Sequence, residues 1–554
     1  MKKIMLVAGF LLISLSSASL FAEPLDISDA AIERLLSSPF QFDYTILTDD
    51  ASYYKLVNAL DRELSLIEYR QMRERTATPD DSLIGQRMSS QLQERYQVLL
   101  RDGFLFKKLE QGRQNTSDNV LRQWIKQLML RRGQMMIDPD TVERIQTLAG
   151  RIADRLFKFH FQVDGQSYST SETVAIMETG SDRQLADKLY RQQHDSAGLL
   201  ANDASRLYLL YNRIGELKGY PSSFDFSVSQ LSYSRKGWDT IAEELKKITD
   251  AEYDRCLDFL KNEIDRDDLT VFNIELMLRK GTVLPDVYFT IDRADKAVAA
   301  LLSETGFNHV YEKLDIITID SAGWPAIAIK LNPPYDTRLI LSKAGGFAYY
   351  RRLIAEIART LPWIYADSTQ LNMLRTYPNG TEEMFTTMFE NRALDSAFLA
   401  EYFEIPQDEL NRFITHNRWI NIFRMRQVLM NYFFDSYLSG GRSSDPTELY
   451  WSLEKSLLGV NDSSYSWIET LISGNMNKYP KWLAFSFSRI KTEEILYRKF
   501  YSDRADKEKA EGIARFLIEE FCRPGKTQTL QEYISRNTDD PLSVADLQRQ
   551  MQLK

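Results

Sequence analysis

Histidine is scarce in this chain. Its 554 residues hold four, His160, His194, His309 and His416. No two lie within five positions of each other, so no pair of imidazoles can come from a single helical turn. Cysteine is scarcer, with Cys256 and Cys522 alone, and neither has a partner at zinc-ligand spacing. Both sit in apolar helical segments, Cys256 beside Leu257 and Phe259, Cys522 after Phe521. Two buried thiols and one long-range disulfide both fit that setting, which favours the thiols. The chain also lacks a G-x-S-x-G elbow, a P-loop and a Gly-rich dinucleotide fingerprint. These gaps remove the usual signatures of serine hydrolases, nucleotide-dependent enzymes and histidine-built metal centres.

Basic charge is in the minority. The 69 Lys and Arg against 78 Asp and Glu give a formal net charge of −9, which argues against nucleic acid, whose phosphates need a clustered basic face. Long apolar runs are missing too, except at the start. Lys2 and Lys3 form a short positive region, Ile4 to Leu15 is apolar, and Ser16-Ser17-Ala18-Ser19 leads to Ala22. That pattern is a signal peptide over residues 1–22, its apolar core shorter than the roughly 20 residues of a membrane span. The expectation is an exported chain, periplasmic or extracellular, with no integral membrane segment after the leader.

There is no Pro/Gly linker, internal repeat or low-complexity stretch, so residues 23–554 read as one helical domain, its lobes 23–200 and 201–554. Tyr53, Leu56, Val57, Leu60, Leu64 and Ile67 recur at three- and four-residue steps, one buried helical stripe; Leu92, Tyr96, Leu99, Leu100 and Phe104 continue it. Asp138-Pro139-Asp140 opens the next helix, and Val163-Asp164-Gly165 is a short break. Residues 182–220 read as a long helix with a glycine C-cap at Gly219. Three strands are expected, Val287 to Ile291, Ala326 to Leu331 and Thr337 to Leu341, the last two joined by a turn at Asn332-Pro333-Pro334-Tyr335-Asp336. Helices follow, one over Phe347–Leu361, another over Thr381–Leu394, with Pro406 and Pro480 as further starts.

Within this frame, the turn at Asn332, the glycines Gly345-Gly346 and the helix through Tyr350-Arg351-Arg352-Leu353-Ile354 lead to Ala355-Glu356-Ile357-Ala358-Arg359. A second helix holds Glu383 through Glu390-Asn391. This arrangement resembles the oligopeptidase and peptidyl-dipeptidase group of gluzincins, which includes thimet oligopeptidase, oligoendopeptidase F and angiotensin-converting enzyme. In that group the first helix bears H-E-x-x-H, whose imidazoles bind zinc while the Glu activates the bound water. The resemblance puts the general-base Glu at Glu356, the two lost histidine ligands at Ala355 and Arg359, and the third ligand at Glu383, 27 residues after Glu356. It makes Glu390 a channel residue and likens Asn212 to Tyr220 to the group's Asn/Arg-rich helix ending in Gly-Tyr. The group's Tyr-rich C-terminal helix, whose hydroxyls hold substrate and oxyanion, has its counterpart at Tyr479, Phe485 and Phe487, where phenylalanine replaces phenol twice.

The resemblance therefore implies a mainly α, two-lobed fold with a small sheet beside a central channel. With ligands and oxyanion donors lost together, it implies a non-catalytic peptidase homologue without zinc, with peptides as the ligand class. Two alternatives stand beside it: an active zinc-dependent oligopeptidase on short peptides with an atypical ligand set, or a structural protein with a closed channel. Without a metal, Glu356 and Glu383 would repel each other in a dry cleft, so an ion pair from Arg359 to Glu383 is expected to compensate.

Overall fold

The computed structural model describes residues 29–38, 40–75, 82–135, 139–179, 182–231, 233–264, 269–319, 326–342, 345–375, 381–441, 445–460, 467, 468, 471, 479–500, 506–538 and 544. Residues 1–22, with the expected signal peptide, lie outside them. The chain divides into two compact units, each assembled from three stretches. One takes residues 1–136, 294–393 and 499–529, the other 137–293, 394–498 and 530–554.

In the first unit the Asp50–Arg75 helix buries the expected stripe. Its Leu56, Val57, Leu60 and Ile67 share a core with Leu92 and Leu99 of Ser82–Arg101, Phe106 of Gly103–Asn115 and Trp124 of Asn119–Met135. Each such side chain taken fully out of water contributes about 1.5–3 kcal/mol. Phe104 departs from expectation, 56% exposed. The reason is a helix break: Asp102 accepts the Phe104 and Leu105 amides at 2.9 and 3.0 Å, capping a new helix with a new face.

The same unit holds a three-stranded sheet in the order β3 (Asp315–Thr318), β5 (Asp336–Leu341), β4 (Ala326–Asn332). β4 and β5 are antiparallel around the expected turn, where the Tyr335 amide donates to the Asn332 carbonyl at 2.7 Å. β3, which sequence patterning missed, lies parallel to β5. The strand expected at Val287–Ile291, in the second unit, does not form. Asp286–Tyr288 is one 3-10 turn after Pro285, and a helix, Ile291–Glu304, starts at once. Phe289 is buried against Phe403, while Val287 is 75% exposed. A short β-branched run becomes a strand only where a neighbouring strand accepts its backbone.

In the second unit, β1 (His160–Val163) and β2 (Gln166–Ser169) form a hairpin where only a break was expected. Asp164 and Gly165 carry φ of 52° and 81°, the paired positive values of a two-residue hairpin turn. The long helix expected over residues 182–220 is two, Arg183–Ala197 and Ala201–Leu217, separated by a 3-10 turn at Gly198–Leu200. Glycine costs about 1 kcal/mol in a helix interior, and here the helix yields. Gly219, at φ 80°, follows the second helix as expected. The Gln407–Ser439 helix supplies much of this unit's buried surface. Its Arg426, 2% exposed, donates to Thr249 Oγ1 at 2.9 Å and pairs with Asp250 at 2.5 Å. Cys256 in this unit and Cys522 in the first are free and buried.

Asp435 on the same helix is fully buried, and neither carboxylate oxygen finds a donor among the described residues. Burial pushes its carboxyl well above the usual range. The folded state thus holds the proton that the unfolded chain releases near pH 4, and stability falls as pH rises above that value. Asp435→Asn should gain about 1–3 kcal/mol at pH 8 and almost nothing at pH 4. Paired urea titrations at the two pH values would test this; an equal gain at both would refute it.

Candidate functional site

Gly345 and Gly346 turn the chain with φ of 68° and 89°, conformations that need no Cβ, and deliver it from the sheet into the Gly346–Ile364 helix. The helix runs through Pro362 rather than ending before it; the ring lies in the last turn, so only one helical bond is lost. It packs against β4 and the Thr381–Ala393 helix, and most of its side chains are buried.

Glu356 is 0% exposed. Its Oε2 accepts the Ala328 amide of β4 at 2.8 Å. Its Oε1 lies 3.0 Å from Arg352 Nη2 and 3.4 Å from Arg359 Nη1, so two guanidinium groups from its own helix flank it. Arg352 also donates from Nε to the Ala326 carbonyl at 3.1 Å. β4 is an edge strand of this sheet. One acid and one base, a helical turn apart, thus satisfy an outward N–H and C=O of that edge.

Ala355 is buried, and its carbonyl accepts Thr386 Oγ1 at 3.2 Å, tying the two helices together. Glu383 is exposed, and no side-chain bond of it occurs among the described residues. The expected Arg359–Glu383 ion pair is absent there; Arg359 takes Glu356, one turn back on its own helix. The inward carboxylate of the second helix is Glu382, which accepts Trp363 Nε1 at 2.7 Å and Lys330 Nζ at 2.8 Å. Sequence reasoning missed it because adjacent glutamates differ only by the 100° turn between neighbouring helical positions. Lys526, in the same unit, is held down to about 8 by burial and by the nearby charges of Arg131 and Lys330. Glu390 lies 3.5 Å from Arg351. Tyr479, Phe485 and Phe487 belong to the other unit. Tyr479 is buried against Trp482, and Phe487 is a core residue between Tyr233 and Trp238.

No protein-family model and no curated protein matches the sequence. Solved structures do match the fold. Trypanosoma cruzi metallocarboxypeptidase 1 aligns with TM-score 0.63 at 12% identity, covering 90% of this chain and 99% of that one. Pyrococcus furiosus carboxypeptidase aligns with TM-score 0.61 at 12% identity, covering 92% and 99%. A putative oligoendopeptidase F gives 0.60 at 13% identity, covering 96% of both chains. The chain has the gluzincin-type metallopeptidase fold.

The expected mainly helical gluzincin fold is therefore present, and the zinc position that the sequence resemblance implies can be tested on the donors this chain offers. At the two imidazole positions, Ala355 has no donor atom and Arg359 is a cation. Glu356 has committed its oxygens to a backbone amide and a guanidinium, and Glu383 is exposed. Such a set does not fit a zinc ion, which needs three or four converging N, S or O ligands. Among the described residues no group of three or more His, Cys, Asp or Glu is arranged to hold a metal. Nor, among them, is any helix of this gluzincin fold long and apolar enough to cross a membrane.

Proposed function

We propose that this chain is an exported, non-catalytic protein of peptidase fold that binds peptides and uses no metal. The observation that carries the reading is Glu356. A general base must present a free carboxylate to water, whereas this one is buried, with Oε2 accepting an amide of the β4 edge and Oε1 flanked by Arg352 and Arg359. Export rests on the leader pattern of residues 1–22. Peptides as ligands rest on the fold relatives, described as carboxypeptidases and an oligoendopeptidase.

The test is zinc stoichiometry by mass spectrometry on the purified protein after zinc loading and desalting, with a fluorogenic peptide-hydrolysis assay on the same sample. Near-zero metal and no turnover are expected. About one zinc per chain, lost in Glu383→Ala, would overturn the reading and restore a peptidase with an atypical ligand set.

A further inference from the structure

A second feature lies in the other unit. The Pro139–Phe157 and Ala201–Leu217 helices border a groove of about 770 Å³. Arg144 and Arg151 line it from one helix, Arg206 and Arg213 from the other. Each pair is seven residues apart, two turns and about 10.5 Å along the axis. All four are exposed. Arg151 is held by Asp203 of the facing helix at 2.7 Å. Arg144, Arg206 and Arg213 make no ion pair among the described residues, although a chain of net charge −9 has carboxylates to spare. The groove's own acids, Asp140 and Glu143, pair with none of them. Between Arg206 and Arg213, on the same helix face, Leu209 stands 66% exposed.

A row of cation, leucine, cation calls for its complement. Guanidinium forks suit carboxylates, arginine is enriched at binding interfaces, and Leu209 between two of them offers an apolar contact that a ligand can cover. A continuous polyphosphate fits less well, because Asp140 and Glu143 put negative charge on the same wall and phosphates offer nothing to Leu209. We propose that this groove docks an acidic amphipathic peptide segment of a partner protein, with carboxylates two helical turns apart flanking an apolar side chain. The site is independent of Glu356 and of the peptide-binding reading above.

The test is fluorescence anisotropy with the full chain and a labelled helical peptide in which glutamates seven residues apart flank leucine. The same peptide with lysine for glutamate is the control, and an RNA oligomer and phosphatidylglycerol vesicles are competitors. Expected are saturable binding of the acidic peptide alone, weakening with salt, and a loss of at least about tenfold in Arg206→Glu/Arg213→Glu. Arg206→Gln/Arg213→Gln and Leu209→Ser, milder surface changes, should each weaken binding with an unchanged melting curve. Equal binding of the lysine peptide, affinity unmoved by any of these variants, or binding of RNA or vesicles without the acidic peptide would each overturn the proposal.

Discussion

Glu356→Ala should cost about 2–4 kcal/mol of stability, the range for a buried side chain whose removal leaves a cavity and an orphaned amide. Three losses combine. Arg352 and Arg359 are left without the carboxylate they flank, the Ala328 amide loses its acceptor, and a void opens in a helix face at 0% exposure. Glu356→Gln keeps an acceptor for Ala328 but turns an amide NH₂ toward one side of the guanidinium pair, and should cost about 1–3 kcal/mol. Urea unfolding of the three proteins measures this directly. The experiment also separates the functional readings. A glutamate kept for water activation would be dispensable for folding, so an alanine variant within about 0.5 kcal/mol of wild type would identify Glu356 as something other than a structural strap.

Asp61→Ala should be comparably severe, about 3–5 kcal/mol. The carboxylate is 2% exposed and gathers three donors from two other helices. Oδ1 accepts Trp124 Nε1 at 2.8 Å and the Met373 amide at 2.9 Å, and Oδ2 accepts the Asn372 amide at 2.6 Å. Burial pushes its carboxyl above the ordinary range although these bonds pull the other way. Alanine would orphan a buried indole N–H and both amides that open the Asn372–Arg375 helix. That short helix cannot hold itself, since four residues are far below the length at which a helix is stable alone. Hydrogen exchange should show the backbone around Asn372 and Met373 losing protection at denaturant concentrations where the Asp50–Arg75 helix keeps its own. Unchanged protection there would show that packing of Leu371, Met373 and Leu374, and not Asp61, holds the segment.

How far the sequence was legible follows from the range of each interaction. The stripe from Tyr53 to Ile67, the turn at Asn332–Asp336, the helices carrying Glu356 and Glu383, and the starts at Pro406 and Pro480 are all present. Each depends on periodicity, a cap or a proline, properties of neighbouring residues. Local chemistry also carried signals that were not taken up, such as Asp164-Gly165 as a hairpin turn and Asp102 as a cap. The scarcity of histidine was equally plain, because it is a matter of residue type.

Other features were set by the tertiary structure. Whether Val287 to Ile291 became a strand depended on a neighbour to pair with, and β3 found one in β5, beyond the intervening β4. Which of Glu382 and Glu383 faces inward was decided by where Lys330 and Trp363 stand. Arg359 turned to Glu356 because that carboxylate was already fixed by Ala328. The sequence by itself determined the helices and the mainly helical class, since these follow from local spacing and residue identity. Only the tertiary structure decided what Glu356 does, because an edge strand's amide, 28 residues away in sequence, takes one of its oxygens.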